Sequence, residues 1–177
     1  MQTQTNEHTI RIIASTGLGV GAIFGLAGTF ATSASLRGLA WGIDGIALVI
    51  ACALLVFHYF RKGQDIIAAG FLVFAVGEGL IVSGAAMDPG ASVPSFGAGA
   101  GLWAAALIMI SAPKFFPLIV RIPGFIAAVL FTITAVRIFS GEPLLPTTEP
   151  LPFFAYPFFV ATIFGWIWAL LRRRGNA

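Results

Sequence analysis

Two acidic residues lie inside long apolar stretches, and glycine flanks each of them. Asp44 directly precedes Gly45, and Glu78 lies between Gly77 and Gly79. A charged side chain inside a membrane is costly, so such residues usually face a cavity or the interior of a helix bundle. The neighbouring glycines leave room for another helix or a ligand to come close. Asp44 and Glu78 are therefore the first candidates for a site that binds a ligand or a proton.

The two carboxylates are predicted to lie at similar depth on consecutive helices. Asp44 comes about five residues after the start of one predicted helix and Glu78 about eight residues before the end of the next, so both lie roughly 8–12 Å from one membrane face. Two adjacent carboxylates resist ionising together, so the pair could hold a shared proton or a cation. Alternatively, the pair recognises a polar or cationic ligand, or each acid has a structural or merely interfacial role.

Arg137 and His58 are further candidates for the same site. Arg137 is predicted near the same height, where it either forms an ion pair with Asp44 or Glu78 or extends alone to the membrane interface. His58 follows Asp44 by about four helical turns, which places both on one face of one helix. His58 is then either an interfacial residue or the far end of a proton relay. The side chains between them on that face are aliphatic, which weakens the relay.

Several kinds of chemistry are excluded by what the sequence lacks. His8 is the only other histidine, so a haem held by two histidines inside the membrane is excluded. Cys52 is the only cysteine, and no His, Cys and carboxylate group has metal-ligand spacing. Motifs for phosphate binding or for serine or zinc hydrolysis do not occur. The sequence therefore predicts neither a metal nor a cofactor.

The composition indicates a membrane protein. Of 177 residues, 58% are hydrophobic and 10% are charged, and the mean hydropathy is +0.96; a soluble domain has about 25% charged residues. One helical crossing of a bilayer needs about 20 apolar residues. We therefore predict an all-α fold, a compact bundle of six transmembrane helices that forms a single domain over 1–177. The predicted spans are 12–33, 39–57, 66–86, 96–112, 118–139 and 153–171.

Lysine and arginine are unevenly distributed over the predicted loops. With the N-terminus inside, the inside segments hold eight of the ten, and the outside segments hold only Arg37 and Arg137. Basic residues concentrate on the cytoplasmic side, so we expect both termini to be cytoplasmic, in a bacterial-type inner membrane. The run Arg172–Arg174 is then a stop-transfer anchor or a site for anionic lipid head groups. Because no soluble face clusters this charge, nucleic acid is not an expected partner.

Two rows of glycine predict close helix packing. Gly17, Gly21 and Gly25 recur at every fourth residue of the first helix, and Gly97 and Gly101 do so in the fourth. Such rows allow helix backbones to approach closely within a membrane. We expect the first and fourth helices to contact each other, with homodimerisation through the same rows as the alternative.

An internal repeat is a related hypothesis. A shift of 78 residues aligns Gly19 with Gly97 and Gly21 with Gly99. Two halves of three helices each would be related by inverted topology, as in many transporters. Helices rich in glycine and alanine also produce such identities by chance, so both interpretations stay open.

Three functions agree with these features. The first is a small transporter or ligand-binding membrane protein built around Asp44 and Glu78. The second is an accessory or assembly protein that contacts a second copy or another membrane protein. The third is an intramembrane acid–base enzyme that acts on a lipid through the same two acids. The expected partners are membrane lipid, a homo-oligomer or membrane protein, and a small polar or cationic ligand.

Overall fold

The computed structural model describes residues 2–85 and 89–172, which form an all-helical structure there. All six of its long helices are apolar enough to cross a bilayer, so the predicted fold class is confirmed. One turn of 3₁₀ helix, Phe153–Ala155, precedes the last of them. The helices are α1 Gln2–Phe30, α2 Ala34–Phe60, α3 Asp65–Ala85, α4 Pro89–Ser111, α5 Leu118–Phe139 and α6 Tyr156–Arg172.

The helix bounds differ most from the prediction at α1 and α4. Helix α1 begins at Gln2 because its polar first residues contain no proline or glycine to stop a helix. Helix α4 begins at Pro89, although the prolines there indicated a loop. Proline at a first helical position sacrifices no hydrogen bond, since that backbone group has no partner inside the helix. The bounds of α5 are those predicted, and Arg173 and Arg174 lie outside the described residues.

The helices form a closed ring in which neighbours in sequence are neighbours in space. Each helix packs against the next, and α6 returns to contact α1. The chain therefore alternates in direction around the ring. We call the end with the α1–α2, α3–α4 and α5–α6 connections the upper end, and the opposite end the lower end. The upper end corresponds to the predicted outside.

The glycine row of α1 packs on α2. A Cβ atom at Gly17 would lie 2.9 Å from the Ala47 carbonyl oxygen, and one at Gly25 would lie 2.6 Å from Asp44 Oδ2. Gly21 faces the same helix at Leu48. The short α1–α2 connection brings these two antiparallel helices together, and the row allows their close approach.

The glycine row of α4 packs on α5. A Cβ at Gly97 would lie 2.6 Å from Ile138 Cγ2, and one at Gly101 would lie 3.6 Å from Ala135 Cβ. The expected close contact between the first and fourth helices is therefore wrong: within the described residues, no Cα atom of α1 lies within 8 Å of one in α4. Small residues showed that close packing occurs but not which helix provides the partner.

The repeat hypothesis gains no support from these contacts. Gly19 faces Ile167 of α6, whereas its aligned residue Gly97 faces α5. Gly21 faces α2, whereas Gly99 faces α3. In two symmetric halves, α1, α2 and α3 would be equivalent to α4, α5 and α6. Because Gly19 faces α6, Gly97 should face α3, and because Gly21 faces α2, Gly99 should face α5. Neither expectation agrees with the observed neighbours. The inverted halves stay a prediction.

Three arginines bind carbonyl groups at the ends of helices. The last carbonyls of a helix have no partner within it, and a cation there also interacts well with the helix dipole. Arg11 reaches from α1 to α6, Arg37 binds the turn after α1, and Arg121 reaches from α5 to α4. The bonds are Arg11 Nε to Leu170 O at 2.7 Å, Arg37 Nη2 to Ala31 O at 2.8 Å, Arg121 Nε to Ser111 O at 2.6 Å and Arg121 Nη2 to Ala112 O at 3.0 Å.

Replacement of Arg121 by glutamine is expected to lower the free energy of unfolding by about 1–2 kcal/mol, because two charge-assisted hydrogen bonds to α4 are lost. Thermal unfolding in detergent micelles measures the change. Arg61→Gln is the matched control, since Arg61 is exposed in the α2–α3 turn. Equal losses in the two variants would contradict the capping role.

Candidate functional site

The upper half of the ring encloses a cavity of about 290 Å³, which we call the upper cavity. Five helices (α1, α2, α3, α4 and α6) and the α5–α6 loop line it. The lining of α2 runs from Ala34 at its first turn to Leu48, so the cavity extends about 20 Å along this helix from the upper end. Its walls include Gly25, Arg37, Trp41, Asp44, Glu78 and Trp103.

One stripe of α2 supplies two of the three charged side chains that line the upper cavity. Arg37, Trp41, Asp44 and Leu48 all line it. Their spacing of four, three and four residues places them on one helix face. From the upper end downward, the stripe presents a cation, an aromatic ring, a carboxylate and an aliphatic side chain.

The Asp44 carboxylate lies against the backbone of α1. A Cβ at Gly25 would lie 2.6 Å from Oδ2, and a Cβ at Gly21 would lie 3.2 Å from Oδ1. These two glycines therefore make room for the carboxylate group between α1 and α2. The Oδ1 atom is buried and accepts no hydrogen bond.

Glu78 enters the upper cavity from α3, and its side chain is 2% exposed. Its Oε1 atom lies 3.3 Å from the position of a Cβ at Gly45, the residue after Asp44, and the two carboxylates are close enough to interact electrostatically. Oε2 is buried without a hydrogen-bond partner. The Trp103 indole N–H approaches this carboxylate outside hydrogen-bond geometry and is itself buried and unpartnered.

Unpaired buried polar atoms are rare in folded proteins and costly to keep. The upper cavity collects four of them, from two acids, one indole and one guanidinium: Asp44 Oδ1, Glu78 Oε2, Trp103 Nε1 and Arg37 Nε. Unpartnered polar groups are therefore concentrated in the wall of this cavity.

Arg137 takes no part in this site. Its Nε atom donates to the Glu142 carboxylate at 2.9 Å, and its Nη2 atom lies 2.5 Å from Glu142 Oε2. The predicted ion pair of Arg137 with Asp44 or Glu78 is therefore not formed. The residue lies in the last turn of α5, the helix that does not line the upper cavity, and a closer acid follows it in the loop.

The Arg137 guanidinium lowers the pKa of Glu142 below its ordinary value of 4.5 by donating hydrogen bonds to the carboxylate. A lowered pKa stabilises the folded state above pH 4.5, and this contribution is lost as the pH falls through the lowered value. Glu142→Gln should therefore reduce the melting temperature by about 1–2 °C at pH 7, as is typical of exposed pairs. The difference from wild type should shrink below pH 4.5. A pH-independent difference, or an equal effect of Glu149→Gln in the same loop, would contradict this.

His58 lies at the lower end, away from the upper cavity. It is 4% exposed and packs edge-on against Tyr59 with the ring centroids 5.1 Å apart. About 20 Å of α2 separate it from Asp44. Leu48 and Leu55, which lie between them, are 2% and 0% exposed. The structure therefore brings Asp44 and Glu78 together but joins neither Arg137 nor His58 to them.

Several residues of the cavity wall escaped the sequence analysis. Arg37 and Trp41 share a helical face with Asp44, so the spacing of α2 alone could have identified them. Trp103, Tyr156 and Phe159 come from α4 and α6. Their presence beside the acids depends on how the ring closes, for which the sequence contains no short-range signal.

The fold and the site define a multi-pass membrane protein with a cavity in one half of the bundle that contains two acids. No protein-family model, no curated protein and no solved structure matches this chain.

Proposed function

We propose that this membrane protein binds a small organic cation in the upper cavity, between Asp44 and Glu78. The observation that supports the proposal most strongly is that two carboxylates with unpartnered buried oxygen atoms line one cavity. A cation bound between them would offset their mutual repulsion and donate hydrogen bonds to the carboxylates. A volume of about 290 Å³ suits a small ligand.

The walls of the upper cavity favour an organic ammonium group over a metal ion. Trp41, Trp103 and Tyr156 line the cavity together with the acids. Aromatic faces attract ammonium groups, and this attraction grows when water is excluded. Calcium, by contrast, takes six to eight oxygen ligands. The remaining lining is largely apolar and suits the hydrocarbon part of an organic cation.

The acids in the upper cavity can be explained by binding alone, without transport through the bundle. A path to the lower end would have to pass a cluster of buried aromatic rings whose centroids lie 4.9–6.1 Å apart. The cluster consists of Phe71, Phe74, Trp103, Phe159 and Trp166. Transport would need a second conformation in which these rings separate, so the proposal is limited to binding.

An acid–base enzyme acting on a lipid is a second candidate. Leu26 of α1 lines the upper cavity and is 41% exposed on the surface of the bundle. This candidate needs an opening beside Leu26 through which a membrane lipid reaches the two acids. The accessory-protein hypothesis loses its original motivation, because both glycine rows pack against helices of the same chain.

The proposed orientation places both termini in the cytoplasm of a bacterial-type cell, with the protein in the inner membrane. Six basic residues of the described chain lie at or near the lower end, and two lie at the upper end. The lower set is Arg11, Arg61, Lys62, Lys114, Arg121 and Arg172, and the upper set is Arg37 and Arg137. Such an excess marks the cytoplasmic side. The upper cavity would then open toward the outer face.

Isothermal titration of the purified protein in micelles with octylammonium tests the proposal, with octanol as the uncharged probe of equal chain length. Wild type should bind octylammonium, and Asp44→Asn and Glu78→Gln should each weaken it at least tenfold, about 1.4 kcal/mol. Octanol binding should not respond to either change. Heats indistinguishable from those of empty micelles, or equal affinities in all three proteins, would refute the proposal.

A further inference from the structure

Arg37 places a fixed positive charge in the wall of the same cavity that contains the two acids. Its Nη2 atom donates to the Ala31 carbonyl at 2.8 Å, and its guanidinium lies 5.9 Å from the ring centroid of Trp41. These contacts hold the side chain in place. Its Nε atom remains buried without a hydrogen-bond partner.

The charges of the stripe on α2 are separated along the helix. Arg37 precedes Asp44 by seven residues, or two turns, which corresponds to about 10 Å along the axis. No salt bridge joins them within the described residues. Trp41 lies between them on the same face. The stripe therefore presents a positive site and a negative site with an aromatic surface between the two.

We infer that the ligand is a zwitterion whose ammonium group binds Asp44 and Glu78 while its carboxylate or other acidic group binds Arg37. An acidic oxygen accepts charge-assisted hydrogen bonds from the guanidinium of Arg37, which lines the cavity. The hydrocarbon segment between the ligand's two charges, about 10 Å long, lies along Trp41. The inference rests on the function proposed above, because the ammonium group occupies the same acid pair.

A simple monocation is a poorer complement to this cavity. It would pair with the acids but leave the Arg37 guanidinium without an anion, and this guanidinium would repel it. A zwitterion of matching length pairs its ammonium group with the two acids and its acidic group with Arg37, so it is attracted at both ends of the cavity. A zwitterion with adjacent charges would reach only one end. Charge separation in the ligand is therefore the property that the cavity selects.

Three amines test this inference by titration calorimetry of the full chain: 8-aminooctanoate, octylammonium and 4-aminobutyrate. Wild type should bind 8-aminooctanoate at least tenfold more tightly than either of the other two. Arg37→Gln should remove this preference, whereas Arg37→Lys, which retains the charge, should keep most of it. Arg137→Gln is the control, because Arg137 binds Glu142 outside the cavity.

The outcomes separate this inference from the proposed function. If octylammonium binds as tightly as 8-aminooctanoate, or if Arg37→Gln keeps the preference, the zwitterion inference is wrong while cation binding stands. If none of the three amines binds wild type, both are wrong. If Arg37→Gln does not fold, the ranking of the three amines by wild type decides alone.

Discussion

Glu78→Met is expected to make the protein more stable and to weaken octylammonium binding strongly. Glu78 is buried with an unpaired oxygen, and such a group is costly to keep in an apolar interior. Methionine is apolar, similar in size and adaptable in shape, so the free energy of unfolding should rise by about 1–3 kcal/mol. Binding should weaken at least about 100-fold, because one of the two carboxylates for the cation is lost.

The opposite changes in stability and binding are what distinguish a binding residue from a structural one. If Glu78 were part of a packing lock, Glu78→Met would destabilise the protein. Chemical denaturation in micelles and titration calorimetry on the same preparations measure the two effects. Glu149→Met is the matched control, since Glu149 is exposed in the α5–α6 loop. A destabilised Glu78→Met protein that still binds the probe would contradict the account.

Gly77→Leu is expected to cause the largest loss of stability, about 3 kcal/mol or more, because an added side chain has no space. A Cβ at Gly77 would lie 3.1 Å from the Gly99 carbonyl oxygen and 3.2 Å from Trp103 Cδ1. Backbone cannot move aside as a flexible side chain can. The α3–α4 crossing must therefore open, and the wall of the upper cavity at Trp103 moves with it.

Gly79→Leu is the control on the same helix. Gly79 lies two residues further along and has no atom within 4 Å of an added Cβ. An exposed substitution of this kind normally changes stability by less than about 0.5 kcal/mol. The melting temperatures of the two variants in micelles provide the comparison. Similar losses at both positions would show that helix conformation, rather than the close α3–α4 crossing, determines the effect.

The hydrophobic pattern was sufficient to predict the six helices. The run from Leu118 to Phe139 has the length of one bilayer crossing and ends at clear loop signals, so α5 was predicted to the residue. Pro89 misled the prediction because proline breaks helices in their interior but is tolerated at their beginning. Local sequence therefore gave the helices but left their ends approximate.

The site was only partly predictable, because its members come from different helices. Asp44 and Glu78 are conspicuous as acids in apolar runs, and the structure places both in one cavity. Arg137 was predicted to pair with an acid inside the helices, but Glu142 in the following loop is only five residues away and forms the pair instead. The position of Trp103 beside the acids depends on the packing of α4 against α3. The order of the ring is a property of the whole chain that no single segment encodes.

A crystal structure of the protein with bound octylammonium tests the central claim most directly. The account predicts that the ammonium nitrogen lies about 3 Å from carboxylate oxygens of both Asp44 and Glu78, with the alkyl chain against Trp41. Density for the probe on the lipid-facing surface alone, or two acids that point into separate sites with the probe beside neither, would contradict it.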